Sequence, residues 1–293
     1  MPRARANGIE IEYDEFGAKT ASAMLLIMGL GAQMILWRED FCEQLAKRGY
    51  RIIRFDNRDV GKSTTFAHLG MPDVIAATTA SLMRQPINAP YLLRDMAADA
   101  VGLLDALGID RAHVVGASMG GMIAQTLAIE FPERVRSLTS IMSTTGDPTL
   151  PPPKPEAMGA LLSPLPNNRD EAIERSVFVF RTIGSTGFPF DEAEIRDLAS
   201  QSYERGFEPA GVTRQLVAIM ASGSRTTALA SVRVPALVIH GTDDPLIQVD
   251  SGRATAAAIP NAELLLIEGM GHDMPRPVWP RMVDAICAVA GRA

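Results

Sequence analysis

Cysteine is nearly absent: Cys42 and Cys287 are the only two in 293 residues. That is too few, and too far apart, for a disulfide framework or a cysteine-based metal site, and both read as buried, reduced thiols. Aromatic residues make up only 5% of the chain, with two tryptophans and four tyrosines. No basic surplus is present either. A net charge of −6 and a pI of about 5.3 exclude the basic stripe that a nucleic-acid surface requires. No apolar stretch is long enough to cross a bilayer. Met1 to Tyr13 carries charges and no apolar core, so no secretory signal is read and a cytoplasmic location is expected. Internal repeats are also lacking.

What is present suits a large globular core, since 47% of residues are hydrophobic and 21% charged. Strand-like and helix-like segments alternate. Strands are expected near Ile9–Tyr13, Met24–Met28, Arg51–Phe55, Ala112–Val115, Val135–Ile141, Ala236–His240 and Ala262–Ile267. Helices are expected at Glu39–Arg48, Arg94–Leu107, Met122–Phe131, Asp250–Ala258 and Trp279–Val289, with Gly49 and Gly108 as stop signals. This alternation predicts an α/β chain with a doubly wound, mostly parallel sheet. It fails between about Thr144 and Arg233, where Pro148, Pro151, Pro152, Pro153 and Pro155 open a stretch of helix-like segments. The expected organisation is therefore a core of residues 1–144 and 234–293 with an inserted helical cap at 145–233. Residues 66–90 read equally as a second flap or as surface helix.

The chemistry gathers at three loops. Gly116-Ala117-Ser118-Met119-Gly120 lies between an apolar strand and a helix, the context of a nucleophile elbow, where small neighbours let the flanking segments pass closely. A strand ending at His240 leads into Gly241-Thr242-Asp243-Asp244-Pro245, and a later strand leads into Gly269-Met270-Gly271-His272-Asp273. The order serine, acid, histidine is that of a triad on an open α/β sheet. Ser118 is the expected nucleophile and His272 the base. Asp244 is preferred to Asp243 as the acid because Pro245 holds its predecessor extended, while Asp243 fits a turn cap. His113 and His240 read as strand-terminal or core residues, His68 as an unpartnered loop residue, and Asp273 as a solvated one. The backbone N–H groups of Met119 and of Leu30, in the loop Gly29-Leu30-Gly31, are the expected oxyanion donors.

A pocket over Ser118 would draw on Gly29, Met34, Trp37, Met142, Phe178 and Met270. The methionines read equally as adaptable pocket lining or core filler, and the aromatics Phe178, Phe180, Phe188 and Phe190 read more as cap core than as pocket lining. Gly61-Lys62-Ser63 is not a phosphate loop, because Asp56 stands where that pattern needs glycine; Gly29-Leu30-Gly31 is not a dinucleotide fingerprint, because Met34 stands at its third glycine. The turn around Asp56, Arg58 and Gly61 is read as structural, with Arg58 bonded to loop carbonyls.

On the segments LLIMGLG (Leu25–Gly31), RFDNRDVGKST (Arg54–Thr64), DMAADAVGLLDALGIDRAHVVGASMGG (Asp95–Gly121), VPALVIHGTDDPL (Val234–Leu246) and GMGHDMP (Gly269–Pro275), the chain closely resembles the α/β-hydrolase superfamily, and within it carboxylesterases of the aclacinomycin methylesterase type. Met28 departs from the His-Gly pair that opens this loop in many members. The resemblance implies Ser118, Asp244 and His272 as the triad, Leu30 and Met119 at the oxyanion hole, and hydrolysis of a small-molecule carboxylic ester through an acyl-serine, with no metal or organic cofactor. Haloperoxidase or perhydrolase activity and carbon–carbon bond hydrolysis by the same triad are the alternatives, followed by ligand binding without turnover. Relatives that use an elbow aspartate are excluded by Ser118, and those that need two cap tyrosines by the presence of Tyr203 alone. Homo-oligomerisation is left open.

Overall fold

A computed structural model describes all residues, Met1–Ala293. The strands are β1 (Arg3–Ala6), β2 (Ile9–Phe16), β3 (Ser22–Ile27), β4 (Tyr50–Phe55), β5 (Ala112–Ala117), β6 (Val135–Ile141), β7 (Ala236–Gly241) and β8 (Glu263–Ile267). The helices are α1 (Glu39–Lys47), α2 (Val74–Leu82), α3 (Leu93–Ala106), α4 (Met119–Glu130), α5 (Pro155–Leu161), α6 (Arg169–Ile183), α7 (Glu192–Arg205), α8 (Pro209–Ser222), α9 (Thr226–Leu229), α10 (Val249–Ala258) and α11 (Trp279–Ala290). One eight-stranded sheet has the order β1-β2-β4-β3-β5-β6-β7-β8. Pairs β1/β2 and β2/β4 are antiparallel, and every later pair is parallel.

Parallel strands need cover on both faces, and alternate side chains along β3 show how the sequence provides it. Leu25 and Ile27 enter one apolar cluster with α3 and α4, while Met24 and Leu26 enter another with α1 and α11. Gly49 and Gly108 adopt left-handed φ of 93° and 67° just past α1 and α3, ending both helices. The sequence reading missed β1. Its signal was Asn7-Gly8, two residues at φ 47° and 81° joining Ala6 to Ile9 in a two-residue hairpin. No helix is long and apolar enough to cross a membrane.

Helices α5 to α8 are inserted between β6 and β7. Helix α9 packs on α4 and α10, and Leu229 and Val232 are buried in the sheet's main apolar cluster, so the residues just before 233 lie with the sheet rather than with α5–α8. In the 66–90 stretch, α2 rests on α8 and turns Ile75 and Leu82 outward.

The inserted helices are tied to the core by buried ion pairs. Arg214 of α8, fully buried, meets both carboxylate oxygens of buried Asp59 at 2.8 and 2.9 Å. Arg205 at the end of α7 reaches Asp56 at 2.9 Å and Glu12 at 3.3 Å. Arg58 was expected to bond loop carbonyls; its main partner is instead the Asp99 carboxylate, at 2.6 and 2.7 Å, because a guanidinium fork in a dry site is best matched by a carboxylate.

Candidate active site

Ser118 sits at the turn between β5 and α4 with φ 55° and ψ −120°, a strained conformation for a residue with a side chain. The turn is possible because its neighbours have none: a Cβ on Gly120 would collide with the Ile27 carbonyl, and one on Gly116 with the Gly120 carbonyl. The Ser118 backbone is held from both sides. Its N–H donates to the Ile141 carbonyl at 2.9 Å, and its carbonyl accepts the Ser143 hydroxyl at 2.8 Å. The hydroxyl is thus raised above the carboxyl ends of the strands, where ligands bind in such sheets.

Three loops converge there. The imidazole Nε2 of His272 lies 2.9 Å from Ser118 Oγ, and its Nδ1 lies 2.7 Å from Asp244 Oδ2. A carboxylate partner at Nδ1 fixes the proton on that nitrogen and leaves Nε2 to accept from the serine. The other carboxylate oxygen of Asp244 accepts the N–H groups of Leu246 and Ile247 at 2.9 and 2.8 Å, which locks its aim. Asp243, one residue earlier, accepts hydroxyls from Thr186 and Thr242 instead, and the Thr186 hydrogen bond is the main cause holding its carboxyl below the ordinary range.

None of the other histidines bonds Ser118, although His240 Nε2 lies 3.6 Å from Asp244 Oδ2. Buried His113 bonds Ser22 and Ser137 at 3.1 and 2.9 Å, and burial pushes its pKa down to about 4. His240, fully buried beneath the acid loop, donates from Nε2 to the Ile247 carbonyl at 2.7 Å and is kept neutral by burial. His68 is exposed. Asp273 corrects an expectation. It is half-buried rather than solvated, its carboxyl pushed up by burial, and it accepts the Ser185 hydroxyl.

The loop Gly29-Leu30-Gly31 approaches from β3, close enough that a Cβ on Gly29 would stand 3.2 Å from Ser118 Cβ. The Leu30 N–H has no acceptor within the chain. That of Met119 opens α4, where the first N–H groups have no helical acceptor. Gly31 has a left-handed φ of 65°, and its N–H donates to Gln215 Oε1 at 2.8 Å. Gln215, fully buried on α8, also donates to the Arg58 carbonyl at 2.7 Å. Nothing in the sequence reading had singled it out.

A cavity of about 930 Å³ lies between this site and the inserted helices. Gly29, Leu30, Trp37 and Met142 line it together with Ser118 and His272. Three expected lining residues do not. Phe178 is 52% exposed, because the cavity-facing stripe of α6 is Ala172, Arg175, Ser176, Val179, Phe180 and Ile183, and position 178 falls on the opposite face. Met34 is fully buried against Ile35 and Leu198 in its own small cluster. Met270 is fully buried beneath the sheet with Met282 and Trp279. Phe180 and Phe190 line the cavity in place of Phe178, and Met122, Met158 and Met274 in place of Met34 and Met270.

The chain belongs to the alpha/beta hydrolase fold family, whose model matches residues 22–275, and it is a hydrolase of that fold. It is 30% identical to the rhodomycin D methylesterase DauP of a Streptomyces species, over 93% of this chain and 92% of that one. It is 31% identical to a 2-hydroxy-6-oxononadienedioate/2-hydroxy-6-oxononatrienedioate hydrolase of Paraburkholderia phymatum, over 90% and 85% of the two chains. Among solved structures, the enol-lactonase from Burkholderia xenovorans shares the fold with a TM-score of 0.74 at 24% identity, covering 99% of this chain and 100% of that one.

Proposed function

We propose that the protein is a carboxylic ester hydrolase that works through an acyl-serine intermediate, with Ser118 as nucleophile, His272 as base and Asp244 as the orienting acid. The observation that carries this reading is the unbroken relay from Ser118 Oγ to His272 Nε2, 2.9 Å, and from His272 Nδ1 to Asp244, 2.7 Å. Similarity to methylesterases over nearly the whole chain supports it.

Ser118 Oγ attacks the ester carbonyl carbon as its proton moves to His272 Nε2. The carbonyl oxygen becomes an oxyanion between the Leu30 and Met119 N–H groups, and Asp244 stabilises the imidazolium. Collapse of the tetrahedral adduct expels the alkoxide, which takes the proton from His272 and leaves as the alcohol. Water, deprotonated by the same imidazole, then attacks the acyl-serine and releases the acid. Helices α5–α8 act as the cap, and the half-buried cavity beneath them favours a small-molecule ester.

The test is turnover of p-nitrophenyl esters of increasing acyl length, with intact-mass detection of a phosphonyl adduct on Ser118. Both should vanish in Ser118→Ala while its circular dichroism and melting temperature stay at wild-type values. Turnover that survives in Ser118→Ala sinks the reading. A second reading, hydrolysis of a carbon–carbon bond beside a ketone, is supported by the dioate-hydrolase relatives. It gains if a dienol ring-cleavage product is consumed and neutral esters are not.

A further inference from the structure

The cavity-facing stripe of α6 contains one charge, Arg175. Its neighbours on that stripe are Ala172, Ser176, Val179, Phe180 and Ile183, while Glu171, Glu174 and Arg181 lie on the exposed face. The acidic side chains one turn or less away are engaged elsewhere: Glu174 with Arg196 at 2.7 Å, Glu171 with Asn167 and Asn168. Two other arginines line the cavity, and both are neutralised. Arg38 meets Glu194 at 3.2 Å, and Arg276 meets Glu194 at 2.8 Å as well as Asp40.

Arg175 has no carboxylate within salt-bridge distance. Its only hydrogen bond runs from Nη2 to the Leu161 carbonyl at 2.9 Å, and Nε is buried with no partner. Burial lowers its pKa with no anion opposing the effect, yet a guanidinium stays charged in any accessible pH range. An unpaired, partly dehydrated cation is costly unless something supplies the missing charge. The Leu161 carbonyl holds one Nη2 hydrogen and Nε is sealed in, which leaves the Nη1–Nη2 end of the guanidinium for the two oxygens of a carboxylate.

We propose that Arg175 is a substrate-recognition site for a carboxylate, so that the preferred substrate is an ester bearing a second, free acid group at the cap end of the cavity. Asp147, Asp191, Glu208 and Asp273 also line the cavity and would repel such a group from other positions. Each already has a donor of its own: Thr149, the Glu194 N–H, Arg214 and Ser185 respectively. The anion is thereby directed to Arg175. This inference rests on the ester-hydrolase reading above for the identity of the reaction, and on the cavity alone for the binding site.

The test compares p-nitrophenyl butyrate, valerate and hexanoate with the p-nitrophenyl half-esters of succinic, glutaric and adipic acids. Phenyl acetate against 4-acetoxybenzoate covers an acid on the alcohol side. At low ionic strength at least one acid-bearing ester should exceed its neutral counterpart in kcat/KM by about tenfold to hundredfold, the range of a charge-assisted bidentate contact. Arg175→Met should abolish that preference by losing far more kcat/KM on the acid-bearing ester than on its neutral counterpart, chiefly through KM, and Arg175→Lys should keep part of it. Glutarate should bind Ser118→Ala and raise its melting temperature, but not that of Ser118→Ala/Arg175→Met.

No acid preference in any pair, or equal losses on neutral and acidic esters in Arg175→Met, overturns the proposal while the esterase reading stands. Should no ester be turned over, the glutarate measurement alone decides: a shift that depends on Arg175 upholds the site, and no shift overturns it.

Discussion

Gln215 offers a test of how the cap governs catalysis. Its carboxamide accepts from Gly31 N–H at 2.8 Å and donates to the Arg58 carbonyl at 2.7 Å. Replacing it with leucine fills a similar volume but leaves the Arg58 carbonyl unpaired in a buried position and the Gly31 N–H unpaired in a partly buried one. Each orphaned group costs about 1–3 kcal/mol, so stability should fall by roughly 2–6 kcal/mol. The catalytic effect has a separate ceiling. Leu30 precedes Gly31, so a released loop misplaces one of the two proposed oxyanion donors, and losing one donor costs about 10²–10³ in kcat. Gly31 itself cannot drift far towards α8, because a Cβ there would already lie 2.8 Å from Val212. The expected loss in kcat for Gln215→Leu is therefore about 10–100-fold, below that ceiling. KM for a neutral ester should barely move, and affinity for a trifluoromethyl ketone, which forms the tetrahedral adduct, should fall in parallel with kcat. Melting temperature and urea unfolding measured alongside separate the two effects. A variant that loses stability but keeps wild-type kcat and adduct affinity would refute the link between the cap and the oxyanion loop.

Three further outcomes are expected. Asp244→Asn should lower kcat by on the order of 10³–10⁴, whereas Asp243→Asn, which removes only the Thr186 and Thr242 contacts, should lose less than about tenfold; similar losses in steady-state assays would leave the acid unassigned. His113, with its folded pKa near 4 against an ordinary 6.5, contributes stability that is present above pH 6.5 and lost as pH falls towards 4. Wild type should therefore lose about 2 kcal/mol more than His113→Gln between pH 7 and pH 5 in urea titrations, and parallel curves would contradict this. Arg214→Met should destabilise the fold by about 3–5 kcal/mol because it strands the buried Asp59 carboxylate. Adding Asp59→Asn should recover part of that loss, and a double variant no more stable than the single one would count against the buried-charge explanation.

The sheet was legible because buried parallel strands are apolar runs with a local signature, and the predicted ends of β6 match those observed. The three loops of the site were legible for a related reason: glycines and prolines that force a turn are visible beside the reactive residue they position. Asp244 differs from Asp243 in its partners: the Leu246 and Ile247 N–H groups donate to one of its oxygens and His272 to the other. The cavity wall was not legible, because in α6 the difference between Phe178 outside and Phe180 inside is a rotation of the helix, which an isolated pair of aromatics does not specify. Least visible of all were the buried polar ties. Arg205 and Glu12 are 193 residues apart, and Gln215 and Gly31 are 184 apart, so no local pattern relates them.

Those ties bear on how substrate reaches Ser118. The segment between α6 and α7 is bound to the histidine and acid loops: the Ile183 carbonyl accepts the His272 N–H at 2.7 Å, the Ser185 hydroxyl accepts the Gly271 N–H at 3.0 Å, and Gly187 N–H donates to Gly269 at 2.9 Å. Helices α7 and α8 are bound to the Asp56–Asp59 turn by Arg205 and Arg214, and to the oxyanion loop by Gln215. Lifting the whole cap would break buried ion pairs that each cost several kcal/mol to separate, and would dismantle the histidine and oxyanion loops together. Helix α5 has much lighter anchoring, through Lys154 N–H to the Pro245 carbonyl and Gln248 to the Pro152 carbonyl. It also carries the Leu161 carbonyl that holds Arg175. A substrate path past α5 would leave the contacts of the His272 and Gly29–Gly31 loops in place, and it would pass beside Arg175, the one cavity arginine with no carboxylate partner.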